Sequence, residues 1–248
     1  LREGGYGTTF SNNYLEQGRY AEAVASTGAE PGLVADTADL RFTRAATLPR
    51  AVADPALNPD PVHTRALADL GGGFTLVDLD RDGDLDLADV SASLVRVFRN
   101  DAGTFTDITA KAGPVQLAPK GAPVAVVAAD YDNDERVDLF VLGVGAHRLL
   151  RQTGTGVFED ATAPAGIPAT PGVHRAAAFV DTDHDGDVDL FLAATLGAAA
   201  HVLLRNNGNG TFTDASGDAR LAAVTAGALA VVPTDYDNRR DVDLLVAG

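Results

Sequence analysis

Asp181-Thr-Asp-His-Asp-Gly-Asp-Val-Asp-Leu-Phe-Leu192 sets aspartates at positions 1, 3, 5, 7 and 9 of a short loop, with glycine at position 6 and an apolar run after it. That alternation turns carboxylate oxygens toward one centre, and glycine at the sixth position permits the sharp turn. Five carboxylates in nine residues repel one another without a counter-charge. A hard cation that accepts about 6–8 oxygens at flexible geometry fits such a loop, and calcium is the natural occupant.

The pattern recurs as Asp78-Leu-Asp-Arg-Asp-Gly-Asp-Leu-Asp86, Asp130-Tyr-Asp-Asn-Asp-Glu-Arg-Val-Asp138 and Asp235-Tyr-Asp-Asn-Arg-Arg-Asp-Val-Asp243. The first aspartates stand 52, 51 and 54 residues apart. A period near that length is the mark of a repeat architecture. Candidate ligands are Asp78, Asp80, Asp82, Asp84 and Asp86 in the first loop, and Asp130, Asp132, Asp134 and Asp138 in the second. The third offers Asp181, Asp183, Asp185, Asp187 and Asp189. Side-chain oxygens are expected from positions 1, 3, 5 and 9, with the backbone carbonyl at position 7. Glu135 stands where glycine is wanted, which makes the second turn harder to form.

The fourth loop, with Asp235, Asp237, Asp241 and Asp243, is the weak member. Arg239 occupies the third ligand position and Arg240 the glycine position. Guanidinium groups pair with carboxylates in a bidentate way, so this loop is expected to close on an internal ion pair and to hold no calcium.

The acidity is local. The formal charge is −16, yet nineteen of the 35 Asp and Glu lie in the four loops, and the sixteen that remain roughly balance 19 Lys and Arg. There is no basic run and there are two lysines, Lys111 and Lys120, which argues against a nucleic-acid surface. Cysteine is absent, so disulfides, thiolate nucleophiles and cysteine metal sites are excluded. No apolar run reaches the roughly 18–20 residues of a membrane helix; residues 190–204 come nearest and include His201. The chain opens at Leu1 without a secretory-signal pattern, so the expectation is a removed leader or a start inside a longer protein.

Residues 1–39 read as a helical segment, in which Asn13-Tyr-Leu-Glu-Gln-Gly-Arg-Tyr-Ala-Glu-Ala-Val24 fits a helix, a tight turn and a second helix. Prolines 49, 55, 59 and 61 mark an insertion loop at about 49–61. Arg41-Phe-Thr-Arg-Ala-Ala-Thr47 echoes Thr104-Phe-Thr-Asp-Ile-Thr109, Val157-Phe-Glu-Asp-Ala-Thr162 and Thr211-Phe-Thr-Asp-Ala-Ser216. Within the third repeat, strands are expected at 176–180, 188–193, 201–205 and 211–214, with Asn206-Asn-Gly-Asn-Gly210 as a hairpin turn. Four short antiparallel strands per unit, with the acidic loop joining the first two, describe one blade of a β-propeller. The fold expected for 40–248 is therefore all-β, with about three to four blades. Closed propellers use about 4–8 blades, so an incomplete ring is expected, the alternative being that the Phe42 segment completes the last blade.

These units resemble FG-GAP and VCBS repeats, through the Asp-Tyr-Asp-Asn-Asp loop, the apolar Asp-Leu-Phe-Val strand, the Asn-Asn-Gly-Asn-Gly turn and the Phe-Thr-Asp strand. The resemblance covers about 74–248. The Tyr-x3-Gly-x-Tyr-x2-Ala spacing in the first 30 residues resembles part of a tetratricopeptide repeat, although the Trp-x2-Leu-Gly opening is missing and an unrelated helical hairpin stays open. The combination is similar to the bacterial branch related to ASPIC/UnbV proteins. The resemblance implies a propeller, calcium in blade loops, export from the cytoplasm to the periplasm, cell surface or medium, and contacts between macromolecules.

An EF-hand reading meets an acid at position 12 in the first loop, Asp89, but Val141, Leu192 and Val246 stand there in the others. The segments after the loops are too short and β-prone for a flanking helix. No catalytic residue is assigned: His63, His147, His174, His184 and His201 show no ligand spacing, and no Gly-x-Ser-x-Gly elbow or phosphate-binding glycine loop is present. The expectation is a non-enzymatic, calcium-binding adhesion or scaffold module whose partner is a protein or glycan. The alternatives are an accessory subunit of a larger exported or membrane-attached assembly and, behind it, the binding domain of a polysaccharide-active enzyme.

Overall fold

A computed structural model describes residues 73–91, 94–113, 122–144, 146–168, 174–195, 200–224, 227–236, 239 and 241–247. The helical segment expected over 1–39, the Phe42 echo, the 49–61 insertion and the similarity to the ASPIC/UnbV branch lie outside these residues.

Fourteen strands form the described part, all paired antiparallel. Blade 1 is β1 (Phe74–Val77), β2 (Asp86–Ser91), β3 (Leu94–Asp101) and β4 (Thr104–Asp107). Blade 2 is β5 (Ala122–Ala129), β6 (Asp138–Val144), β7 (Arg148–Gly154) and β8 (Val157–Asp160). Blade 3 is β9 (His174–Val180), β10 (Asp189–Ala194), β11 (Val202–Asn206) and β12 (Phe212–Asp214), and β13 (Ala230–Thr234) with β14 (Asp243–Ala247) begins a fourth. Each sheet is a simple meander, as expected for four short strands per repeat. No α-helix occurs among the described residues, so the loops are flanked by strands and the EF-hand reading falls.

The acidic loop closes the first hairpin of every blade. Its last aspartate opens the second strand and pairs with the residue that ends the first: Val77 with Asp86, Ala129 with Asp138, Val180 with Asp189 and Thr234 with Asp243. The expected hairpin turn is also present, with Gly208 and Gly210 at φ of 69° and 76°.

The core lies between blades rather than within one. Leu139 and Val141 of β6 pack with Ala88, Val95 and Val97 of blade 1, while Phe140 and Leu142 of the same strand pack with Leu190, Leu192 and Leu204 of blade 3. Side chains alternate across a strand, so a strand covered on both faces needs an unbroken apolar run, and β6 has one. Leu190 and Leu192 of β10 face blade 2 in the same way, and Phe191 and Ala193 pack toward Val231, Leu244 and Val246 of blade 4. This face-to-face succession of antiparallel sheets is propeller-like.

Each blade also hands its chain to the next through a backbone contact. The Ala112 carbonyl accepts the N–H of Phe158 at 2.8 Å, and the Ala165 carbonyl that of Phe212 at 2.8 Å. Gly113 is required at the first crossing, because a Cβ there would sit 2.3 Å from the Phe158 carbonyl oxygen.

Candidate metal centre

The loop geometry follows from short aspartates accepting their own backbone. Asp78 takes the N–H groups of Arg81 and Gly83 at 2.6 and 3.0 Å, and Asp130 those of Asp134 and Glu135 at 3.1 and 2.7 Å. Asp181 takes the N–H of Gly186 at 3.2 Å. Position 5 accepts from position 7 in each of these loops, with Asp82, Asp134 and Asp185 taking the N–H of Asp84, Arg136 and Asp187 at 2.9 Å each. Asx turns of this kind curl the chain so that its carboxylates gather on one side.

One carboxylate oxygen from each of Asp78, Asp80 and Asp86 lies within 4.8 Å of the others, and the same holds for Asp130, Asp132 and Asp138 and for Asp181, Asp183 and Asp185. Position 9 is the buried anchor. Asp86 and Asp138 are fully buried and Asp189 is 1% exposed. Each spans its blade by accepting two backbone N–H groups: Leu79 and Asn100 on Asp86, Tyr131 and Gln152 on Asp138, Thr182 and Asn206 on Asp189. Asp82, Asp134 and Asp189 border the converging groups without joining them.

Position 7 turns elsewhere. Asp84 accepts the N–H of Ala102 at 2.7 Å and Asp187 the side-chain amide of Asn133 at 2.6 Å, while Arg136 in the second loop pairs with Asp134 and donates to the Gln152 carbonyl. Glu135 adopts the left-handed backbone that glycine has in the sister loops, with φ of 70° against 93° at Gly83 and 95° at Gly186. The second turn therefore forms in spite of the substitution. Arg81, Asn133 and His184, all at position 4, are left-handed as well.

In the fourth loop Asp235 accepts the N–H of Arg239 at 3.0 Å and Asp243 that of Tyr236 at 2.9 Å, so the local turn persists. Asp241 lies 3.8 Å from His184 of the preceding loop. Asp237 and Arg240 lie outside the described residues.

The donor sets fit a hard cation. Asp132 Oδ1 and Asp181 Oδ1 are buried and have no hydrogen-bond partner, and a buried oxygen without a partner costs free energy that a ligand recovers. Burial pushes the Asp138 carboxyl up to about 7 against the hydrogen bonds from Gln152 and Tyr131, and it raises Asp86 too. Asp132 is raised by burial and by Asp134, and Asp80 by desolvation and Asp82. Carboxyls held up in this way lack a positive neighbour strong enough to balance them. Guanidinium groups reach the loops at Asp134, which pairs with Arg136, and at the margin, where Arg151 Nη1 is 3.5 Å from Asp132 and Arg205 Nε 3.3 Å from Asp183.

Reading the sequence alone missed the residues next to these arginines. Arg99-Asn100, Arg151-Gln152 and Arg205-Asn206 recur in one register near the end of the third strand. Gln152 and Asn206 are both 2% exposed, and their amides reach the loop of the preceding blade, at Leu79 and Tyr131. The repeated basic-amide pair was the available signal.

A comparison with curated proteins gives no match. Among solved structures, one similar chain comes from work titled for specific recognition of non-reducing terminal N-acetylglucosamine by an Agrocybe aegerita lectin. Identity is 23%, 56% of this chain and 36% of that one are covered, and the TM-score is 0.35. This chain thus spans about a third of that structure's length. The family model described as FG-GAP-like repeat matches residues 78–141 and 130–192. Those two matches take in three successive acidic loops and the strands between them, so residues 78–192 are FG-GAP-like repeats.

Proposed function

We propose that the chain is a calcium-stiffened, non-catalytic interaction module that works outside the cytoplasm. The observation that carries this reading is the convergence of three carboxylates in each of three loops, with buried oxygens left unpartnered in two of them. Asp78, Asp80 and Asp86, Asp130, Asp132 and Asp138, and Asp181, Asp183 and Asp185 would hold the ions, with Asp82, Asp134 and Asp189 beside them. Calcium, when bound, supplies the positive charge that these carboxylates lack. The chain's own residues do the remaining work: position 1 caps the loop amides, and position 9 ties the second strand to the third across the blade.

The carboxylates are committed to backbone N–H groups and to the loop centre, which supports a structural rather than a proton-transferring role. Calcium outside the cytoplasm is plentiful enough to fill sites of about 10⁻⁴–10⁻³ M, which supports an exported location. In the described residues no helix is long and apolar enough to cross a membrane. The partner is a protein or a glycan met at the propeller surface. A cleft of about 410 Å³ beside the second loop, lined by Tyr131, Asp132, Arg151, Glu159 and Asn209, offers polar groups of both charges to it.

Anything that binds the folded state alone stabilises it by mass action. Removing calcium with excess EGTA is expected to lower the melting temperature by several degrees, roughly 2–4 °C per kcal/mol for a chain of this size, and to speed proteolysis. An unchanged melt in EGTA would contradict the reading.

A further inference from the structure

A continuous line of buried hydrogen bonds runs from the first loop to the third. Asp86 Oδ2 accepts the N–H of Leu79 at 2.8 Å, and the carbonyl of that same Leu79 accepts Gln152 Nε2 at 3.2 Å. The N–H of Gln152 donates to Asp138 Oδ1 at 2.7 Å, and Asp138 Oδ2 accepts the N–H of Tyr131 at 3.1 Å. The carbonyl of Tyr131 accepts Asn206 Nδ2 at 2.8 Å, and the N–H of Asn206 donates to Asp189 Oδ1 at 2.8 Å. Asp189 Oδ2 then takes the N–H of Thr182 at 3.1 Å. The three carboxylates and two amides in this line are all at or below 2% exposure.

We propose that Gln152 and Asn206 are coupling residues, through which filling one cation loop raises the affinity of its neighbour. This rests on reading the loops as calcium sites. The residue at loop position 2 is held at both ends: its N–H by the position-9 carboxylate of its own loop, its carbonyl by the amide of the next blade. That amide's own N–H is bound to the position-9 carboxylate of the next loop. A shift of Asp86 therefore moves the Leu79 peptide and with it Gln152 and Asp138. Buried hydrogen bonds in series polarise one another and leave no water to absorb a displacement. The loops also touch at the surface, where Arg81 meets Glu135 at 3.3 Å and Asn133 meets Asp187 at 2.6 Å, but those contacts are exposed and weak. Asn100 provides the built-in control. It occupies the same register in blade 1, and its Nδ2 donates at 3.1 Å to Leu85 of its own loop, the bond that Asn206 Nδ2 also makes, to Val188 at 3.1 Å, in addition to its bond to Tyr131.

Coupling between sites is reciprocal and commonly amounts to about 5-fold or more in affinity. The test is calcium titration of the full chain by isothermal calorimetry, with the third loop disabled by Asp183→Asn and Asp185→Asn. In the wild-type background, disabling that loop is expected to weaken calcium binding at the remaining loops by about 5-fold or more. With Asn206→Leu already present, disabling it is expected to change their affinity by less than about twofold. Gln152→Leu combined with a first loop disabled by Asp80→Asn and Asp82→Asn repeats the cycle at the other interface and decides the matter if Asn206→Leu does not fold. Asn206→Gln, which keeps the donor, is expected to retain part of the coupling, and Asn100→Leu all of it between the second and third loops. Calcium binding with no transfer between loops, or with transfer that survives both leucine variants, overturns the coupling and leaves the loops as independent sites. No calcium heat in the wild type overturns the site reading and the coupling together.

Discussion

Asp-Tyr-Asp-Asn occurs at 130–133 and again at 235–238, and the two tyrosines end in opposite environments. Tyr131 is 3% exposed, its ring stacks on Phe212 of blade 3 at 5.8 Å, and burial beside Asp132 pushes its phenol up to about 12. Tyr236 is 83% exposed. Yet each N–H makes the same bond, to Asp138 at 3.1 Å and to Asp243 at 2.9 Å. The loop turn is thus a local product of its aspartates, whereas burial is conferred by the blade that follows. The strands repeat the lesson: two residues into the second strand, Phe140 and Phe191 are 0% and 2% exposed, and Leu245 is 58% exposed.

The sharpest way to break this comparison is to truncate the same position in both settings. Phe140→Ala is expected to cost about 3–5 kcal/mol, while Leu245→Ala should stay below ~1 kcal/mol, both measured by urea unfolding in calcium. Equal costs would mean that the second blade owes its stability to something other than its neighbours.

A second test sharpens the contrast by acidifying the interior interface. His147 and His174 meet edge-on at 5.3 Å between blades 2 and 3, with His201 close enough to disfavour charge on His174. Burial, then His174, lowers His147 to about 4, and burial also lowers His174. The unfolded chain takes up a proton near the ordinary 6.5, so the histidine contribution to stability is full above that pH, declines as pH falls toward about 4 and levels off below it, while Asp138, raised to about 7, contributes in the opposite direction over the same range in chelated protein. The expected loss from the histidine is of order 2 kcal/mol. His147→Gln should remove this acid-side decline, so that between pH 7 and 4.5 the chelated variant loses less stability than chelated wild type, and an unchanged slope would remove the histidine from the account.

The smallest effect belongs to the second loop. Glu135 pays for its left-handed backbone, and glycine has no such penalty. Glu135→Gly is expected to stabilise by about 0.5–1 kcal/mol, the exposed pair with Arg81 contributing little. A drop in stability would show the ion pair to outweigh the backbone.

How far these features were legible depends on how local they are. The four loops and the strands beside them were readable because aspartate turns and apolar runs are set by near neighbours: strands expected at 176–180 and 188–193 fall at His174–Val180 and Asp189–Ala194. Which aspartates converge was only half readable. Alternation brings positions 1 and 3 together, but Asp84 and Asp187 answer to a hairpin backbone and to the preceding loop, partners that no spacing reveals. Gln152 was silent because its acceptor, Leu79, lies 73 residues away. Thr109, Thr162 and Ser216 were likewise passed over, although each hydroxyl takes a third-strand N–H, of Val97, Leu149 and Leu203, at 3.0 Å. Here the repeated Asp-x-Thr/Ser at the end of each fourth strand was visible and was read only as a strand end.

The central claim is that the three interior loops hold calcium and thereby fasten successive blades. Calorimetric titration with one loop disabled at a time, by Asp82→Asn, Asp134→Asn or Asp185→Asn each paired with its position-3 aspartate, tests it most directly. The account predicts about three equivalents of calcium in the wild type, one per converging group, and the loss of one with each pair. Binding that ignores these substitutions, or no calcium binding at all, would contradict it.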